Sequence, residues 1–216
     1  MTTIRLSLNL LESDSQIKQR ILESIKDVLD SAIAKSLNKI QQEFKVMVVE
    51  AIKREPEYIS LKNGQLRYEL GIPDSSMIDR AVDEICEGEL TRSPVKVTSR
   101  GVSGGVKYIV ISADKVDRAM EGANGLVQDA AGYTLPWLKW ILTKGTATII
   151  KNFDVKLGPN SNSRTGMAIM VESSSSWNVP AQFAGVTDNN WITRAIDSIN
   201  ENNLYQIIQN NIESHI

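Results

Sequence analysis

Between Ser13 and Pro56, apolar residues recur at Ile17, Ile21, Ile25, Val28, Leu29, Ile33, Leu37, Ile40, Phe44, Val48 and Ile52, every third or fourth position. That spacing predicts one long amphipathic helix, opened by the cap-rich Ser13-Asp14-Ser15 and stopped by Pro56. At 1.5 Å per residue it reaches about 60 Å, well beyond the usual three or four turns. Such a helix must either bend around a core or project toward a partner.

Before it, Ile4, Leu6, Leu8 and Leu10 alternate with Arg5, Ser7 and Asn9, the period of a strand with one apolar face. Too short to be stable alone, this strand is expected to add to a sheet, its own or a neighbour's. The segment from Glu57 to Gly71 reads as a partly structured connector, and Asp74 to Leu90 as a second, acidic helix. Two β-rich runs, Val95 to Val97 and Val106 to Ile111, are expected to form a hairpin across Gly101 to Gly105. A short helix over Asp114 to Met120 and a glycine-bearing loop over Gly122 to Gly132 follow. Pro136 then opens a helix from Trp137 to Lys144, with Gly145 as its stop. A strand from Ile149 to Leu157 pairs with Met167 to Val171 through the loop Gly158 to Gly166. After a polar stretch from Glu172 to Asn190, a final helix begins at Trp191, with an interruption at Asn202-Asn203. The resulting expectation is an α+β fold: a long N-terminal helix on a mainly antiparallel sheet, with short additional helices. Residues 1–55 supply strand and helix, and 56–216 the body, as one structural unit.

The chemical inventory is narrow. With 24 lysines and arginines against 26 aspartates and glutamates, the net charge of −2 gives no sequence-wide drive toward a polyanion. One cysteine, Cys86, and one histidine, His215, exclude a disulfide framework, a zinc finger and any dyad needing a second copy of either. No cofactor or metal is expected. No apolar run approaches the 18 to 20 residues or so that span a bilayer, so no membrane is expected either. The first eleven residues alternate where a signal peptide would be continuously apolar, and the chain reads as soluble and unprocessed. Gly101-Val102-Ser103-Gly104-Gly105 matches the G-x-S-x-G elbow of serine hydrolases, but β-branched residues follow it where a helix should, which makes it a hairpin turn.

Asp79 and Asp83 share a helix face, where oxygen ligands could hold a cation; a solvated acidic face is the simpler account. Arg164, among Ser163, Thr165 and Gly166, is either a solvated loop charge or a fork for a carboxylate on another subunit. Trp137 and Trp140 read as core, whereas Trp177 and Trp191 fit core and interface equally. Charge is uneven along the chain, negative over 56–90 and positive over 91–120; ordinary solvated faces are the simpler account, and a head-to-tail contact between subunits is the alternative.

Four pieces in order carry a resemblance. They are Leu135-Pro136-Trp137-Leu138-Lys139-Trp140, Ser163-Arg164-Thr165-Gly166-Met167-Ala168-Ile169-Met170, Trp177-Asn178-Val179-Pro180 and Asn189-Asn190-Trp191-Ile192-Thr193-Arg194-Ala195. With Pro56-Glu57-Tyr58 and Leu61-Lys62-Asn63-Gly64-Gln65-Leu66 upstream, the chain resembles the neck or tail-completion proteins of tailed bacteriophages. The resemblance implies a non-enzymatic virion subunit, assembled in the host cytoplasm into a ring of six-fold or twelve-fold symmetry at the neck. Its neighbours would be the portal or adaptor and the tail-terminator or tail-tube proteins, with DNA passing through unbound. The interface candidates are Ile4, Leu6, Leu8, Arg164, Trp177, Asn189, Asn190, Trp191 and Arg194. Two other classes compete: a carboxylate-dependent metal enzyme using Asp79, Asp83 and Arg164, and a DNA-binding adaptor using Arg92, Lys96, Arg100 and Lys107.

Overall fold

The computed structural model describes residues 12–129 and 132–216. The expected strand at Ile4, Leu6 and Leu8 lies outside the described residues. Helix α1 spans Asp14–Lys53. Its start is a reciprocal cap: the Ser13 side chain accepts from the Gln16 amide at 3.4 Å, and the Gln16 side chain accepts from the Ser13 amide at 2.8 Å. Asp14 in the first turn and Lys53 in the last complement the helix dipole.

Only part of α1 is buried. Ala32, Ser36, Ile40, Phe44, Val48 and Ile52 form an i+4 row of buried residues, joined by Ile33. An i+4 step overshoots a full turn by about 40°, so this row winds roughly 200° around the axis between Ala32 and Ile52. Different faces of one helix therefore meet different neighbours. The middle meets α8 (Glu201–Glu213), where the buried Ser36 hydroxyl donates to the Asn211 carbonyl at 2.9 Å. Ala32 and Ser36 are small enough to let that backbone approach. Facing the same stretch is a hairpin of β1 (Glu89–Thr98) and β2 (Gly101–Ile109). Asp30 pins it, accepting from Arg92 Nη2 at 2.6 Å and from the Val95 amide at 2.9 Å. Phe44 and Tyr108 pack in a tilted pair with ring centroids 4.7 Å apart. Ahead of Ala32 no residue of α1 is buried, and Ile21, Ile25 and Val28 are 54%, 41% and 45% exposed.

The main core gathers around the last turns of α1, Val48 and Ile52, with Leu61, Leu66, Ile72, Ile78, Ile85, Trp137, Ile141 and Trp191. These come from α2 (Pro56–Asn63), α3 (Gln65–Glu69), α4 (Ser76–Ile85), α6 (Trp137–Thr143) and α7 (Trp191–Asp197), and from the turn after α3. Helix α5 (Ala113–Glu121) and the two-residue strands β3 (Val127–Gln128) and β4 (Thr134–Leu135) close one side. Strands β5 (Ile150–Leu157) and β6 (Ala168–Trp177) form a long hairpin. The fold is α+β, with the long N-terminal helix packed on antiparallel strands and short helices around it. Among the described residues the strands form three two-stranded ribbons, β1–β2, β3–β4 and β5–β6.

Several boundaries differ from the sequence reading. The connector from Glu57 to Gly71 is α2 and α3, and its spaced anchors Tyr58, Leu61, Leu66 and Leu70 are core residues. Gly64 separates the two helices because a Cβ there would lie 2.9 Å from the Ser60 Cα. The acidic helix stops at Ile85, since Glu89 and Leu90 are taken by β1. The first hairpin turns at Ser99-Arg100, and Gly101 to Gly105 belong to β2, where Gly104 faces a bulge: its Cβ would stand 2.7 Å from the Val95 Cα. The serine run 173–176 is part of β6. The last helical region breaks before Asn200, which caps α8 by accepting from the Asn202 amide at 2.9 Å, so Asn202 and Asn203 start a helix.

Candidate functional site

The β5–β6 ribbon leans over α3 and α6 and leaves a cleft of about 650 Å³ beneath it. Phe153 and Val155 of β5, and Ala168, Met170 and Trp177 of β6, line one wall; Tyr68, Leu70, Gly71, Leu135 and Trp140 line the other. A register shift between Lys151 and Phe153 bends the ribbon, and Asn152 takes it up at φ 61°. Asparagine is one of the few side chains that tolerate that left-handed geometry. Trp140 and Trp177 meet with ring centroids 5.9 Å apart. Trp177 Nε1 donates to Glu69 Oε2 at 3.2 Å, and the Gln65 amide donates to the other Glu69 oxygen. One carboxylate thus ties the base of the ribbon to α3.

Arg164 closes the far end of the cleft. Its loop is tied by the Ser163 hydroxyl, which accepts from the Thr165 and Ala168 amides, each at 3.2 Å. The guanidinium reaches back across its own subunit, where Nη1 donates to the Gln128 carbonyl at 2.5 Å. Nη2 occupies the space that a Cβ on Gly71 would need, 2.5 Å away. The sequence left Arg164 between a solvated loop charge and a fork for a neighbour's carboxylate; here it is exposed and donates to a carbonyl of its own chain.

The other candidates divide. Trp177 and Trp191 are 6% and 1% exposed, and Asn190 is 5% exposed, so these three are interior groups of their own subunit. Asn190 caps α7: its Oδ1 accepts from the Ile192 and Thr193 amides, and its Nδ2 donates to the Val186 and Thr187 carbonyls. Asn189 stays exposed and accepts from Arg194 Nη1 at 3.4 Å. Arg194 stays at the surface of its own subunit, where it donates to the buried Glu57 carboxylate and lies 3.7 Å from Glu55 Oε2. Burial, with the neighbouring Glu57 charge, holds the Glu55 carboxyl above the usual glutamate range against the pull of Arg194.

Asp79 and Asp83, offered for a cation, have protein partners. Asp79 accepts from Tyr58 Oη at 2.5 Å and Lys62 Nζ at 2.6 Å, and Asp83 lies 3.8 Å from Lys45. Burial pushes the Asp79 carboxyl up, but the two donors outweigh it and hold the group below the ordinary aspartate value. Among the described residues no group of three or more histidines, cysteines or carboxylates is placed to hold a metal ion. Of the basic set, Arg92 is paired with Asp30, while Lys96, Arg100 and Lys107 are exposed on the β1–β2 hairpin.

Sequence reasoning missed Glu57, Glu69, Gly71 and Phe153. Leu66 and Leu70 at i and i+4 were the available signal for α3, which carries Glu69; nothing local marks Gly71 as the position that admits a guanidinium. No protein-family model, curated protein or solved structure matches this chain. Among the described residues no helix is long and apolar enough to cross a membrane.

Proposed function

We propose that this chain is a structural subunit of a tailed-phage neck, a tail-completion protein whose copies form a ring joining the head connector to the tail. The observation that supports this most is the division of α1. One end is built into the core, and the other carries Ile21, Ile25 and Val28 into solvent. A subunit with an unfinished apolar stripe on one element and an open-edged ribbon on another has dissimilar sticky surfaces, and dissimilar surfaces join heterologously, into a ring where the rotation closes. In this reading the ring has six-fold or twelve-fold symmetry, the neighbours are portal or adaptor and tail-terminator or tail-tube proteins, and the subunit performs no catalysis. DNA passes through the lumen without specific binding, which the net charge of −2 favours, because a strongly basic wall would retain phosphates. Mass measurement on isolated necks tests the ring, and particle images labelled on this protein test its place. One copy per virion, or a label at the baseplate, sinks the proposal.

The exposed Lys96, Arg100 and Lys107 support a second reading, a DNA-contacting adaptor. Retention on duplex DNA that falls steeply with salt distinguishes it; the neck reading expects none.

A further inference from the structure

We propose that the cleft under the β5–β6 ribbon is the acceptor for residues 4–10 of a second copy of this chain, added as a third strand along the outer edge of β5. A two-stranded ribbon leaves an outer edge on each strand, with main-chain groups lacking a neighbour. On β5 the Gly158 amide donates inward to the Met167 carbonyl, so by the antiparallel alternation the Val155 amide points to such an edge, where it donates to the Asp154 side chain at 2.8 Å. Val155 and Phe153 line the cleft, and Leu157, next in the same alternation, is 54% exposed. The N-terminal segment has the matching period: Ile4, Leu6, Leu8 and Leu10 fall on one side and Arg5, Ser7 and Asn9 on the other. Laid beside β5 with its apolar side toward the cleft, it extends the row Phe153, Val155, Leu157 and brings Arg5 to the face that carries Asp154.

Reach decides that the donor is another copy. Ten residues separate Ile4 from Asp14, and fully extended they span at most about 35 Å. Val48, where α1 first joins the core that also holds Trp177, Ile150 and Val155 of the ribbon, lies about 51 Å along the helix from Asp14. A segment tethered to the tip of its own α1 stops short of its own ribbon. Donor and acceptor are then different surfaces of the subunit, the head-to-tail arrangement that closes into a ring or runs into a fibre. The pairing rests on the ring reading only for that closure. Chains that cross-link head to tail yet are absent from necks would sink the location and leave the pairing intact.

The test uses the full chain. Leu8→Cys and Leu157→Cys variants are purified separately, mixed and treated with a short bis-maleimide. The natural Cys86 adds little background, being buried with its thiol pushed up to about 12 by that burial. A cross-linked dimer is expected in the mixture and in neither variant alone, and the double variant should give a ladder of multimers. No product in the mixture overturns the proposal. So does a dimer from Leu8→Cys alone, which means paired N-terminal segments, or a double variant linked only within one chain. Leu6→Asp with Leu8→Asp should abolish the ladder in the double-cysteine background while leaving the circular dichroism spectrum unchanged.

Discussion

Arg194 on α7 donates to the carboxylate of Glu57 at the start of α2, joining residues 137 positions apart. The Glu57 side chain is 3% exposed and that of Arg194 41%, so the pair is a buried acid with its counter-ion at the surface. Its second oxygen, Oε2, is buried without a hydrogen-bond partner, which leaves Arg194 as the main compensation for a desolvated charge.

Arg194→Ala should therefore destabilise the subunit by about 3 kcal/mol, because it strands a buried carboxylate. Glu57→Gln should cost only about 1 kcal/mol, since an amide tolerates burial better. Adding Glu57→Gln to Arg194→Ala should recover part of the loss. Denaturant midpoints of the four proteins measure this, and a purely additive double variant would mean that the two side chains do not interact.

Gly71 and Arg164 should couple in the same way. Gly71 sits at φ 64°, and a Cβ there would be 2.5 Å from Arg164 Nη2. Gly71→Ala should cost about 1 to 2 kcal/mol from the left-handed backbone alone, plus displacement of the guanidinium from the Gln128 carbonyl. With Arg164→Ala already present, only the backbone part should remain, which thermal unfolding of both backgrounds reads directly.

Acid should act partly through Asp79. Its folded pKa lies below the ordinary value because Lys62 and Tyr58 donate to the carboxylate, outweighing its burial. The sign is that of a depressed acid: the stabilisation is complete above the unfolded aspartate pKa near 4 and is lost as pH falls through the folded value. The side chain is 41% exposed, so screening keeps the amount below about 1 kcal/mol. Asp79→Asn should be less stable than wild type at pH 7, and the difference should shrink toward pH 3.

Ile21→Ser with Ile25→Ser should leave the melting temperature of the isolated subunit within about 2 °C of wild type, because exposed positions contribute little to the fold. Self-association, read by sedimentation, should weaken. An unchanged association constant would show that this stripe of α1 is not part of the subunit contact.

The extent of α1, its capped start, the existence of both long hairpins though not their turns and ends, and the Trp137 helix were legible in the sequence. Each is set by neighbours within a few positions: apolar period, caps, turn residues and prolines. The same locality explains why α2 and α3 were hidden, since helices of 8 and 5 residues hold only one or two repeats of their pattern, too few to separate from a spaced connector. Tertiary structure alone decided the rest. An apolar stripe reads alike whether it meets its own core, as at Ile40 and Ile52, or reaches solvent, as at Ile21 and Ile25. Trp177 and Trp191, balanced in the sequence between core and interface, became interior because distant segments, α3 and α2, came to cover them. Arg164 found Gln128 and Gly71, and Arg194 found Glu57, through folding that joins residues far apart in the chain. A charge carries no local mark of the partner it will meet, because that partner is chosen by the packing of the apolar residues around it.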